Sequence, residues 1–338
     1  GLNLFVTQSK LRAFYAALKL VFIVALAYLN GLAGAIAGFV LASFVSMLAG
    51  FFLTRGKTQQ KAAAFNYGKF AAFMAPIFLF SIILDLLISI DLFAVKALSG
   101  EQSGLLAGYY AAAATIAKIF PMVISAIAFA VFPLVSAATS QRNLQKTRFY
   151  ISNTMRYCLL IIAPVAFLFA STPAELISLI YAEKYLPGAA PLPILCFAFA
   201  IYTLFIVEAT IIAAANRPRT AMAISIAALS ASAVLNALLV PTMLLAGAAL
   251  ATLAGSTVGL ILAGIFILHK FKTLVSAKSV LKITAGSLLI YFISFSWPAA
   301  GLLLVAKYAV LLLIYALALL LLRDLTKRDL RVFLNMIR

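Results

Sequence analysis

Ten apolar stretches run through the chain, and its basic side chains fall on alternate connections between them. A hydrocarbon core of about 30 Å takes about 20 apolar residues of helix, and within it every backbone N–H and C=O must be satisfied internally. The stretches lie at 11–29, 32–53, 68–91, 105–138, 150–171, 190–213, 219–240, 243–268, 283–297 and 299–322. The expected fold is an all-α polytopic membrane protein of about ten transmembrane helices.

Orientation follows from Lys and Arg near the span ends. Of the 26 basic residues, 21 lie on one set of segments, from Lys10 and Arg12 through Arg142, Lys146 and Arg148 to Lys270–Lys282 and the tail Arg323–Arg338. The opposite set holds only Lys96 and Lys184, and Lys19, Lys118 and Lys307 lie within spans. Both termini are expected in the cytoplasm, with an even number of spans in the cytoplasmic membrane. The net charge of +18 is mostly this bias. Nucleic-acid binding is not expected, because short loops cannot build a soluble basic face.

Hydrophobic residues make up 66% of the chain and charged residues 10%, which leaves no room for a soluble domain of ordinary size. Cys158 and Cys196 fall inside spans, so they read as small buried apolar residues rather than a disulfide. His269 is the one histidine, and with no cysteine nearby it does not suggest zinc. No phosphate loop, nucleophile elbow or paired-carboxylate pattern occurs, so neither an enzyme nor a cofactor or metal centre is expected.

The second and eighth stretches echo each other. Leu32-Ala33-Gly34-Ala35 matches Leu245-Ala246-Gly247-Ala248, and Ser43 falls opposite Ser256, at an offset of 213. Six spans separate equivalent positions, which suggests a duplicated six-helix unit in parallel orientation. The expected organisation is then 1–53 as the last two helices of a first lobe, 54–67 as a cytoplasmic linker and 68–268 as a complete second lobe. Residues 269–322 form two additional helices, and 323–338 a cytoplasmic amphipathic tail on an anionic leaflet. On this count the chain begins mid-protein, after four further helices of a total of about fourteen.

Several stretches together resemble the multidrug/oligosaccharidyl-lipid/polysaccharide exporter superfamily, and within it the oligosaccharide flippases. They are Ser89-Ile90-Asp91 through Ser99-Gly100, Ala107-Gly108-Tyr109-Tyr110, Val131-Phe132-Pro133-Leu134-Val135-Ser136, and Glu183-Lys184-Tyr185 with Ala189-Ala190-Pro191. Leu235-Asn236 to Pro241 and Gly247-Ala248-Ala249-Leu250-Ala251-Thr252 complete the set. The resemblance implies a two-lobed transporter around a central cavity that carries a polyprenyl-linked sugar from leaflet to leaflet by alternating access. A sodium- or proton-coupled multidrug antiporter of the same superfamily is the alternative. A membrane glycosyltransferase or polysaccharide polymerase is more remote, since no loop carries the acidic residues it needs.

Ionisable groups at membrane depth are costly unless they face a cavity or a partner. Lys118 stands roughly 20 Å along the fourth stretch at 1.5 Å per residue. There it is a candidate to hold a lipid diphosphate as a point charge, on a polar stripe with Tyr110, Thr115 and Ser125. Its bland reading is a packing partner of a carboxylate. Asp85 is expected to be the deepest carboxylate, suited to a coupling cation or to Lys118, and Asp91 to lie nearer the outer interface. Lys19 completes the cavity candidates. Glu208 is expected to pair with Arg217 or Arg219, and Lys307 to snorkel outward. Pro121 and Pro133 are candidate hinges, because each removes a helix hydrogen bond.

Overall fold

Segments this apolar can satisfy their backbone only as helix, and a computed structural model shows helices throughout the residues it describes, 5–54, 67–141 and 143–322. The helices are α1 (Phe5–Thr54), α2 (Tyr67–Leu87), α3 (Ile90–Leu98), α4 (Ser103–Ala117), α5 (Ile119–Ser140), α6 (Leu144–Ser171), α7 (Pro173–Ile180), α8 (Leu192–Ala214), α9 (Pro218–Phe271), α10 (Ala277–Ser296) and α11 (Leu302–Leu321). Residues 55–66 of the expected linker 54–67, and the expected tail 323–338, lie outside the described residues. The chain divides into two units, Gly1–Tyr67 and Gly68–Arg338.

The long helices α1 and α9 are hairpins. The backbone leaves helical geometry at Asn30–Gly31 in α1 and at Leu244 in α9. A Cβ on Gly34 would sit 1.8 Å from the Leu26 carbonyl oxygen, and one on Gly38 2.5 Å from that of Phe22. In a straight helix residues 22 and 38 would stand about 24 Å apart, at 1.5 Å per residue. In α9 the same contact recurs between Gly247 and the Leu239 carbonyl, at 2.3 Å. Gly31 has φ 54°, ψ −133° and Leu244 has φ 49°, ψ −123°, so the two reversals share one backbone conformation at the offset seen in the sequence echo. Small residues let the legs approach, as membrane helix pairs require where no hydrophobic driving force separates helix from lipid.

Among the described residues seven helices are long and apolar enough to cross a membrane, or eight when the bent pair Phe78–Leu87 and Ile90–Leu98 counts as one span. Counting each leg of the two hairpins, they make ten passes. The third expected stretch is this bent pair, broken by 49°. The fourth is two helices that meet at Lys118, one turn before Pro121, whose missing N–H cannot bond back to Ala117. The expected outer loop 172–189 folds into α7 and a 3-10 segment, Glu183–Ala189, which rests on the middle of α4 through Tyr109 and Tyr185, ring centroids 6.3 Å apart.

In the second unit α8 is apolar on every side and lies at the centre, packed by α5, α6 and α9. Phe199, Phe205, Leu195 and Ile212 of α8 are fully buried. A second apolar cluster joins α6, α10 and α11 through Leu160, Ile283, Ile290, Leu311 and Leu319. Several basic segments meet at one end of this unit. Arg148 Nε donates to the Phe271 carbonyl at 2.6 Å, and Lys282 Nζ to that of Leu322 at 2.6 Å, each a cation closing a helix C-terminus. Lys307 does not snorkel: it is buried and donates to the Ser294 carbonyl at 2.8 Å, because the open end of α10 beside it supplies the acceptor.

Candidate functional site

The bend between α2 and α3 turns the start of α3 inward, and Asp91 in its first turn is only 1% exposed. Its Oδ1 accepts from the Leu92 N–H at 2.7 Å, a carboxylate at the positive end of a helix. Its Oδ2 accepts from the Tyr110 hydroxyl of α4 at 2.8 Å and from the Thr252 hydroxyl of α9 at 3.1 Å. The Thr252 hydroxyl also stands 3.1 Å from the Ala248 carbonyl, so its single proton serves two acceptors. Lys118 lies close enough to Asp91 to attract its charge.

Further buried polar atoms continue this seam along α9. Asn236 donates to the Ser232 carbonyl at 2.9 Å and to its hydroxyl at 3.3 Å, while its Oδ1 has no hydrogen-bond partner. The hairpin register sets 239 against 247 and 232 against 255, which brings Asn236 level with the turn that carries Thr252. The Ser256 hydroxyl, one turn beyond Thr252, is also buried without a partner. Buried polar groups left unsatisfied are costly, and such atoms mark places where a further ligand can bind.

The sequence candidates distribute as follows. Tyr110 and Asp91 come together, and Lys118 lies within electrostatic reach of Asp91. Asp85 is exposed, while its neighbour Leu84 accepts the Tyr202 hydroxyl at 2.8 Å; of the two expected cavity carboxylates Asp91 is the buried one. The expected polar stripe does not form one face. Thr115 is exposed and bonds back to the Ala111 carbonyl at 2.7 Å, since at about 100° per residue it stands about 140° from Tyr110. Pro121 is half-buried beside the break at Lys118, and Pro133 is exposed within α5. In the first unit the Lys19 ammonium rests 4.9 Å from the centre of the Phe39 ring. Thr252 and Asn236 entered the sequence reading only through the resemblance. The Asp91–Thr252 bond joins residues 161 apart, and no local pattern announces it.

Glu208 makes no pair with Arg217 or Arg219. It is buried and its Oε2 has no hydrogen-bond partner, whereas both arginines are exposed at the α8–α9 turn. Asn216, at φ 61°, ends α8 there and starts the chain away from it. Among the described residues no group of three or more His, Cys, Asp or Glu could hold a metal ion.

The sequence pattern of one family, described as polysaccharide biosynthesis protein, matches residues 4–190. The chain belongs to that family. The match takes in Lys19, Asp85, Asp91, Tyr110 and Lys118. Comparison with curated proteins gives no match. Among solved structures the chain is similar to the lipid II flippase MurJ in an inward closed conformation, with a TM-score of 0.72 at 14% identity, covering 92% of this chain and 67% of that one. Identity that low establishes the fold: an all-α, multi-pass membrane protein with the helix arrangement of that transporter.

Proposed function

We propose that this member of the polysaccharide biosynthesis family moves a lipid-linked oligosaccharide or polysaccharide precursor across the cytoplasmic membrane by alternating access. Both termini of the chain then face the cytoplasm. The observation that carries the reading is a lysine within an apolar span, Lys118, set at a helix break within electrostatic reach of a buried carboxylate in a family named for polysaccharide biosynthesis. A polyprenyl diphosphate supplies the anion such a lysine needs, and its sugar supplies polar surface for the exposed Thr115 and Asp85. Residues 68–268 act as one six-helix lobe, with α1 as the counterpart of its last hairpin. The equal backbone geometry at Gly31 and Leu244 supports that equivalence.

Coupling belongs to the Asp91 seam. A monovalent cation takes oxygen ligands, and Asp91, Thr252 and Asn236 offer three kinds: carboxylate, hydroxyl and amide carbonyl. The test is transfer of a polyprenyl-diphosphate sugar in reconstituted vesicles, with and without a sodium gradient. Asp91→Asn is expected to remove the gradient's effect and leave slow, gradient-independent transfer. An undiminished gradient effect in Asp91→Asn would refute the assignment.

A further inference from the structure

A second buried carboxylate, Glu208 of α8, has an oxygen without a hydrogen-bond partner. A groove of about 420 Å³ opens between α6, α8, α9 and the start of α10, walled by Met155, Leu159, Leu204, Leu260 and Val275. Its one charged lining residue is Glu208, which is 3% exposed and has no hydrogen-bond partner on Oε2. Across from it stands Gly264, where both carboxylate oxygens lie 3.7 Å from the position a Cβ would take. The missing side chain leaves room beside the carboxylate, which lines the groove while its Oε2 stays closed to solvent. Ile261, Ile265 and Leu268 line the mouth and are exposed, as residues that face lipid are.

We propose that this groove binds a membrane phospholipid with a primary ammonium headgroup, its ammonium on Glu208 and its alkyl chain along the apolar walls. Depth fits a headgroup. Glu208 stands six residues before the end of α8 and Gly264 seven before the end of α9, roughly 10 Å from the helix ends. That lies below the interface, within reach of a headgroup drawn down along the helix ends. Charge fits too, since Lys270 and Lys278 are exposed within two residues of the lining residues Leu268 and Val280, where the lipid phosphate emerges. A metal ion does not suit a single carboxylate among apolar walls, because hard cations take several oxygens. A quaternary ammonium has no N–H to give the orphaned oxygen, whereas a primary ammonium has three. The size and the apolar lining are those of a small-molecule site with one orienting polar group.

The experiment is thermal unfolding of the whole 338-residue chain in detergent micelles, titrated with phosphatidylethanolamine, phosphatidylcholine or phosphatidylglycerol. Phosphatidylethanolamine is expected to raise the midpoint at lower concentration than the other two. In Glu208→Gln its half-effective concentration is expected to rise about tenfold or more, while the phosphatidylglycerol response stays unchanged. Gly264→Leu, which fills the groove and keeps the carboxylate, is expected to lose the same preference. A wild type that treats ethanolamine and choline lipids alike overturns the proposal, and so does a preference that survives either substitution. These outcomes do not depend on transport, so the groove and the carrier reading stand or fall separately.

Discussion

At the scale of single residues, burial and not depth decides which charges matter. Asp85 and Asp91 are six residues apart on neighbouring helices, yet one is exposed and the other is closed in by Tyr110 and Thr252. Removing the Tyr110 hydroxyl leaves a buried carboxylate one donor short, worth about 1.5–3 kcal/mol for a hydrogen bond to a charged group. Tyr110→Phe is therefore expected to lower the thermal midpoint in detergent by several degrees, and Thr115→Val, on an exposed position, to leave it unchanged. Equal midpoints for Tyr110→Phe and the wild type would show that the bond holds nothing. Leu244 carries a β-substituted side chain at a positive φ, which glycine occupies at Gly31. Leu244→Gly is expected to stabilise the chain by about 1 kcal/mol and Gly31→Ala to destabilise it, both read from unfolding midpoints. A loss of stability in Leu244→Gly would mean that the leucine's packing outweighs its backbone strain.

Elements were the most legible scale. Apolar length is a local property, so the sequence placed helices in all ten stretches, and the tetrapeptide repeated around Gly34 and Gly247, which reads in the sequence as a duplication, falls just after the reversal in both hairpins. What it could not show was direction. The 49° bend that turns Asp91 inward follows from how α3 packs on α9, a contact between residues more than 150 positions apart. The facing of Glu208 likewise depends on Gly264, which no pattern within α8 reveals. Tight leg packing in α9 gives a test at this scale. A Cβ on Gly255 would lie 2.6 Å from that of Ser232, and one on Gly259 3.0 Å from the Phe205 ring. Gly255→Leu is expected to splay the hairpin and reduce the yield of folded protein sharply, since overpacking forces the backbone apart. Wild-type yield and midpoint in that variant would contradict the hairpin contact.

For the molecule as a whole, topology and transport are the open claims. Cys158 and Cys196 are fully buried, so Cys158→Ala, Cys196→Ala makes a quiet background for labelling. In it, cysteines at exposed Glu101 and Lys184 are expected to react with an impermeant thiol reagent outside intact cells, and those at exposed Gln145 and Ser276 only after lysis. Outside labelling at Gln145 would reverse the orientation. The central claim is that Lys118 holds the diphosphate of a carried lipid. Its most direct measurement is the rate at which the purified protein transfers a polyprenyl-diphosphate oligosaccharide across vesicle membranes, compared between wild type, Lys118→Arg and Lys118→Gln. The account predicts transfer by the wild type, partial transfer by Lys118→Arg and a loss of about tenfold or more in Lys118→Gln, with thermal midpoints alike because the three hydrogen bonds that hold Asp91 come from Leu92, Tyr110 and Thr252 and not from Lys118. Transfer by Lys118→Gln at the wild-type rate would contradict it.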